Sequence, residues 1–249
     1  MLKRPSLYLL LLTSALLLPL QLHAKVSDVA KQTSQYAADT YQDQMLMSLE
    51  KLVKFNTVAI DGLPSTDNPV HQAFKQELAQ QAKQLGLDYT DHGYIVIIGL
   101  GESEERLGMI THGDVQPATP AKWAKSPFEL DLTSGPGKLV GRGTEDDKGS
   151  ISNALYAMKS IKDKHIKLKK RIELYVYMAE ESDWSPLEAY IKEHTLPQVN
   201  ITLDAEYPVV TAEKGYGTIS MTFPNSISTN DEVLSESVYL SAFSGGFFG

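Results

Sequence analysis

Residues 107–114 read Leu-Gly-Met-Ile-Thr-His-Gly-Asp, an apolar run that ends in an imidazole and a carboxylate. A short apolar stretch bounded by Gly and charged residues is the pattern of a buried strand. Side chains two apart on a strand share a face, so His112 and Asp114 can meet. A metal-bound imidazole is usually oriented by a carboxylate on its other ring nitrogen, which is the chemistry this pair permits. Taken alone, His-x-Asp is common and more often belongs to a structural histidine, so the rest of the chain has to decide.

Working outward, Tyr94–Leu100 and Ile172–Ala179 are two further apolar strand candidates, and Ile201–Leu203 is a third. Between them lie helical patterns. Val26–Thr57 lacks Gly and Pro and reads as one or two helices. Asn68-Pro69 supplies an N-cap and a first-turn proline for a stripe of Val70, Phe74, Leu78 and Leu85 that stops at Gly86. Lys148–Ile161 places Ile151, Leu155, Met158 and Ile161 on one face, and Pro186–Glu193 is a shorter helix. Alternating strands and helices predict an α/β fold, a three-layer αβα domain with a mainly parallel central sheet and helices on both faces.

Three more acidic motifs fall at predicted strand ends or helix starts, where α/β enzymes place their ligands. Gly141-Arg-Gly-Thr-Glu-Asp146-Asp147-Lys-Gly149 is a turn that opens a helix, and its glycines would let backbone approach a ligand closely. Its carboxylates suit either helix capping or a bridge between two metal ions. Ala179-Glu180-Glu181-Ser182 closes a strand, where a turn can present both carboxylates to one site. As an isolated pair they would read as a solvated strand end. Leu203-Asp204-Ala-Glu-Tyr-Pro208 follows the last short strand.

Composition narrows the chemistry. The 249 residues include no Cys, so disulfides and thiolate metal sites are excluded and a metal must be held by His and carboxylates. Residues 1–24 read as a secretory signal, with Lys3 and Arg4 ahead of an apolar core from Leu7 to Leu20 that is too short to span a bilayer comfortably. The expected location is therefore periplasmic or secreted, with no stable membrane association after cleavage. Removing the leader takes away two positive charges, deepening the formal charge from −8 to −10. An acidic chain without a basic cluster disfavours nucleic acid as a partner. His71, His92, His165 and His194 have no motif around them and read as surface or ordinary structural residues. Trp184, beside the Glu180 motif, reads equally as pocket lining or as core.

Together the four motifs, in order and spacing, resemble the co-catalytic di-zinc exopeptidases that include aminoacylase, acetylornithine deacetylase, glutamate carboxypeptidases and carnosinase-like dipeptidases. The resemblance covers about Met47–Phe223, and Glu181-Ser-Asp-Trp184 and Asp204-Ala-Glu-Tyr-Pro-Val209 look most like the bacterial dipeptidase branch. It implies that His112, Asp146 and Asp204 hold one zinc, that Asp146 bridges to a second zinc on Glu181 and a late His, that Asp114 orients His112, and that Glu180 is the general base. Cobalt or manganese would suit the same donors. It also implies a cis peptide between Asp146 and Asp147, and a dipeptide or amino acid derivative as substrate.

The family's last ligand is a His near the C-terminus, beyond an inserted α+β lid domain, whereas here no His follows His194. The expectation is accordingly an N-terminal part of a zinc peptidase catalytic domain over 25–215, with impaired activity. Residues 216–249 then form the start of a lid domain or an aberrant tail. Two alternatives stay open: an N-acyl amino acid deacylase or carboxypeptidase of the same family, and a non-catalytic metal-binding or interaction fragment. Oligomeric state is not legible.

Overall fold

In the computed structural model, which describes residues 26–205 together with 210 and 212, the chain begins with helices α1 (Asp28–Val53) and α2 (Pro69–Leu85). Strands β1 (Asp88–Asp91), β2 (Ile95–Leu100) and β3 (Arg106–His112) follow, then α3 (Lys148–Asp163), β4 (Arg171–Tyr177), α4 (Ser185–Glu193) and β5 (Val199–Thr202). The expected leader at 1–24, the segment 216–249 and most of the text after Ala205 lie outside the described residues.

The helix boundaries follow from their caps. Asn68 Oδ1 accepts from Val70 N at 3.0 Å, and Pro69 occupies the first turn, where its missing N–H costs no helical bond. At the far end Gly86 turns left-handed at φ 66°, and Leu87 N returns to the Ala82 carbonyl at 2.8 Å, closing the helix. Val26–Thr57 resolves into a single long helix capped by Ser27, whose hydroxyl accepts from Ala30 N.

The five strands form one sheet in the order β1-β2-β4-β3-β5. β4, β3 and β5 run parallel, and the β1–β2 hairpin joins β4 antiparallel. Alternation along β4 assigns its two faces. Ile172, Leu174 and Val176 pack with Leu52 of α1, Phe74 and Leu78 of α2, and Ile151, Leu155 and Met158 of α3. Tyr175 and Tyr177 face the other way, under Leu187 and Tyr190 of α4. The result is three layers: three helices, the sheet and one helix. Complete burial of side chains such as Leu52, Phe74 and Leu174 contributes roughly 1.5–3 kcal/mol each relative to exposure.

Register then positions the chemistry. His112 pairs with Tyr177, so β3 and β4 finish level, and Ile110 pairs with Thr202, so β5 ends two residues short of them at the same edge of the sheet. Helix α3 starts at the same edge, Lys148 N bonding back to the Gly143 carbonyl at 2.9 Å. Among the described residues no helix is long and apolar enough to cross a membrane.

Candidate metal centre

Position 112, the last of β3, puts a buried imidazole at the sheet's carboxyl edge. Its Nε2 lies 2.7 Å from Asp146 Oδ1 and 3.6 Å from Asp204 Oδ2. Its Nδ1 meets the backbone carbonyl of Asp114 at 3.0 Å and that residue's carboxylate at 3.5 Å. The carbonyl can only accept, so Nδ1 carries a proton and Nε2 is the atom turned toward the acidic groups.

Asp114 is fully buried, and its carboxylate has a second task. Oδ1 accepts from Glu180 N at 3.1 Å and Oδ2 from Glu181 N at 3.0 Å. One side chain therefore fixes the turn that follows β4 and holds the two glutamates next to His112. Trp184 braces the same turn, its indole N–H donating to the Glu180 carbonyl at 2.9 Å, and it remains about half exposed rather than in the core. Glu181 is held further by Gln116, whose amide donates to Oε2 at 2.7 Å. The other oxygen, Oε1, is buried without a hydrogen-bond partner.

The Gly-rich turn brings in a fourth carboxylate, Asp146. The Asp146–Asp147 peptide is cis, and the two side chains diverge. Asp146 points to His112, while Asp147 is buried and accepts from the Thr111 hydroxyl. Asp147 stands at the N-cap position of α3 without capping it through its side chain. Lys148 is fully buried beneath, donating to the Phe55 carbonyl at 2.7 Å and lying over the Phe74 ring.

The electrostatics follow from crowding acids in a half-dry corner. Burial, reinforced by the charges of Glu181, Asp204 and Asp114, pushes Glu180 up to about 7 against the pull of His112. Burial likewise raises Asp147 to about 6, and raises Glu181 despite the Gln116 hydrogen bond. For His112 burial acts downward, but hydrogen bonds to Asp114 and Asp146 and their charges outweigh it and lift the imidazole to about 11. The hydrogen bond from His112 holds Asp146 below the usual carboxylate range. Lys148 is pushed down to about 7 by desolvation, which the Asp114 charge only partly offsets.

Two groups of potential ligands result, His112 with Asp146 and Asp204, and His112 with Glu180 and Glu181, each with ligand atoms within 4.8 Å of one another. All six residues singled out in the sequence thus converge. An all-oxygen-and-imidazole donor set suits a borderline or hard divalent ion such as zinc, cobalt or manganese. The orphaned Glu181 Oε1 is the kind of buried acceptor a cation would satisfy. Sequence reasoning missed Gln116, Thr111 and Lys148. The alternation that joined 112 to 114 would have reached 116 had it been carried one step further. Of the other histidines, His71 is buried between Ser65 and the Thr57 carbonyl, whereas His194 stacks on Tyr190 beside His92, away from the acidic cluster.

Fold and site together define a three-layer α/β domain with a candidate carboxylate–imidazole metal centre at the ends of its parallel strands. Residues 108–218 match the model of peptidase family M20/M25/M40. The β-Ala-Xaa dipeptidase of Lactobacillus delbrueckii subsp. lactis is 32% identical over 203 residues, covering 79% of this chain and 42% of that protein. A protein of Staphylococcus aureus (strain USA300) with a dipeptidase name is 34% identical over 185 residues, 73% of this chain and 39% of its own length. Human carnosine dipeptidase 1 superposes with a TM-score of 0.53 at 22% identity, over 68% of this chain and 38% of that one. The di-peptidase Dug1p of Saccharomyces cerevisiae gives 0.55 at 20%, over 66% and 37%. The chain spans about two fifths of the length of the curated relatives it matches.

Proposed function

We propose that this site serves metal-dependent hydrolysis of the peptide bond of dipeptides, with Glu180 as general base. The observation that carries the reading is the convergence of both acidic clusters on His112, with Glu180 and Glu181 fixed side by side by Asp114. Dipeptides are the preferred substrate class because the curated relatives carry dipeptidase names.

In this reading His112, Asp146 and Asp204 would hold one zinc ion, and Asp146 and Glu181 would contribute to a second. When bound, the metal supplies Lewis acidity, which polarises a carbonyl and eases deprotonation of water. The protein's own residues do the rest. Asp114 fixes the Glu180–Glu181 turn through their N–H groups, so that the two neighbouring carboxylates take different tasks. Glu180, set beside the ligand groups by Asp114, is placed to take a proton from water and to return it to the leaving amine. The exposed indole of Trp184, tied to the Glu180 carbonyl, offers an apolar wall for a substrate side chain. Cleavage of N-acyl amino acids or of C-terminal residues would use the same groups, and substrate trials separate these reactions. The apolar leader read in the sequence supports a periplasmic or extracellular location, which N-terminal sequencing of the mature chain checks.

The test is Glu180→Gln. Turnover of a dipeptide should fall about 10²–10⁴-fold, the usual contribution of a general base, with zinc per chain unchanged. Wild-type turnover in the variant, or a wild-type protein that binds no zinc, would overturn the reading.

A further inference from the structure

The residues at 112, 114 and 116 lie at alternate positions, and each reaches the acidic cluster in a different way. His112 faces Asp146, Asp114 takes the two N–H groups of the Glu180–Glu181 turn, and Gln116 takes a side-chain oxygen of Glu181. The Gln116 contact spans 65 residues of sequence and is 2.7 Å long, with a weaker approach of the same amide to the Glu181 carbonyl at 3.5 Å. The two oxygens of Glu181 are thereby made unequal. Oε2 is engaged by an N–H, whereas Oε1 is buried with no N–H or O–H donor, and the carboxyl as a whole lies within hydrogen-bonding reach of the Asp146 carboxyl. A buried carboxylate oxygen left without a donor is costly, so a group that satisfies it gains a correspondingly strong hold.

We infer that Gln116 is a positioning residue for the second metal ion: it holds Glu181 by one oxygen and leaves the other aimed, buried and unpartnered, as the ligand. The inference rests on the metal reading above and adds a residue to it. A neutral amide suits this task. Lys or Arg would bring a cation that competes with the metal for the same carboxylate, and an acid would repel it. A donor on the distal oxygen of a ligand narrows the orientations of the carboxylate without removing its charge, which is how groups behind a ligand tune affinity. The first ion, on His112, Asp146 and Asp204, has no such dependence on Gln116.

Titration of the metal-stripped full chain with cobalt, followed by its visible absorption, tests this in wild type, Gln116→Leu and Gln116→Glu. The wild type should take up two ions. Both variants should keep the tighter step unchanged and weaken the looser one about 10–100-fold, the usual effect of losing a group behind a ligand. The metal-free Tm reports whether each variant is folded, and Gln116→Glu, nearly isosteric, stands in if Gln116→Leu is not. A wild type that binds two ions with both steps unaltered in the variants, or binds only one, overturns this inference alone. A wild type that binds none overturns the metal reading with it.

Discussion

At the scale of the residue, Asp114 matters more than a simple orienter of His112 would. Its carboxylate is closer to the N–H groups of Glu180 and Glu181 than to the imidazole, which is met first by the residue's own carbonyl. Asp114→Asn therefore does not merely remove a charge. One oxygen becomes an NH₂ that faces a backbone N–H in a buried site, leaving a donor unpaired. The expected cost is about 2 kcal/mol, within the range for one unsatisfied buried group. Urea denaturation of the metal-free protein measures it, and a change below about 0.5 kcal/mol would show that the clamp contributes little.

At the scale of the element, the start of α3 carries the tightest constraint. Gly149 is its second residue, and a Cβ there would lie 2.2 Å from the Thr144 carbonyl oxygen, which is backbone and cannot swing aside. Gly149→Ala must displace the 144–147 turn and with it Asp146. A loss of about 1–3 kcal/mol is expected from the overpacking, together with weaker zinc binding, read by thermal melting and equilibrium dialysis. An alanine variant with native Tm and zinc content would show that the turn yields freely.

Elements of this kind also show what a sequence can disclose. Helix α2 was readable to the residue because its punctuation, Asn68-Pro69 and Gly86, is local chemistry. Strands β3 and β4 declared themselves by apolar runs that had to be buried. β1 did not: Asp88-Tyr-Thr-Asp91 is largely exposed and is a strand because β2 lies beside it. The antiparallel placement of β2 against β4 is likewise a tertiary fact that no local period encodes. In the site the ligand candidates were legible as strand-end motifs. Their supports were not, because Gln116–Glu181 and Thr111–Asp147 join distant segments through residue types common everywhere.

At the scale of the whole molecule, the acidic cluster makes stability depend on pH and metal together. A group whose folded pKa lies above its unfolded value keeps its proton longer in the native chain. Its stabilisation is present at low pH and is lost as pH rises across the gap. For Glu180 that window runs from its ordinary 4.5 to about 7, for Asp147 from 3.8 to about 6, and for His112 from 6.5 to about 11. Asp146, held down by His112, has the opposite sign and loses stabilisation only as pH falls below its ordinary 3.8. His71 and Lys148, both lowered by burial, also work in the opposite direction, Lys148 only above about 7. The cleanest comparison is therefore between metal-free wild type and Glu180→Gln from pH 4.5 to 7. The variant should lack one downward contribution, so its Tm should fall less steeply with rising pH. A divalent cation should then raise the wild-type Tm more at pH 7 than at pH 5, because it replaces protons that the carboxylates must first release. Saturation at about a hundred times Kd corresponds to about 2.7 kcal/mol. Parallel melting curves for the two metal-free proteins would show that Glu180 is not raised in the folded chain, and a cation shift equal at both pH values would show that the metal displaces no protons from these carboxylates.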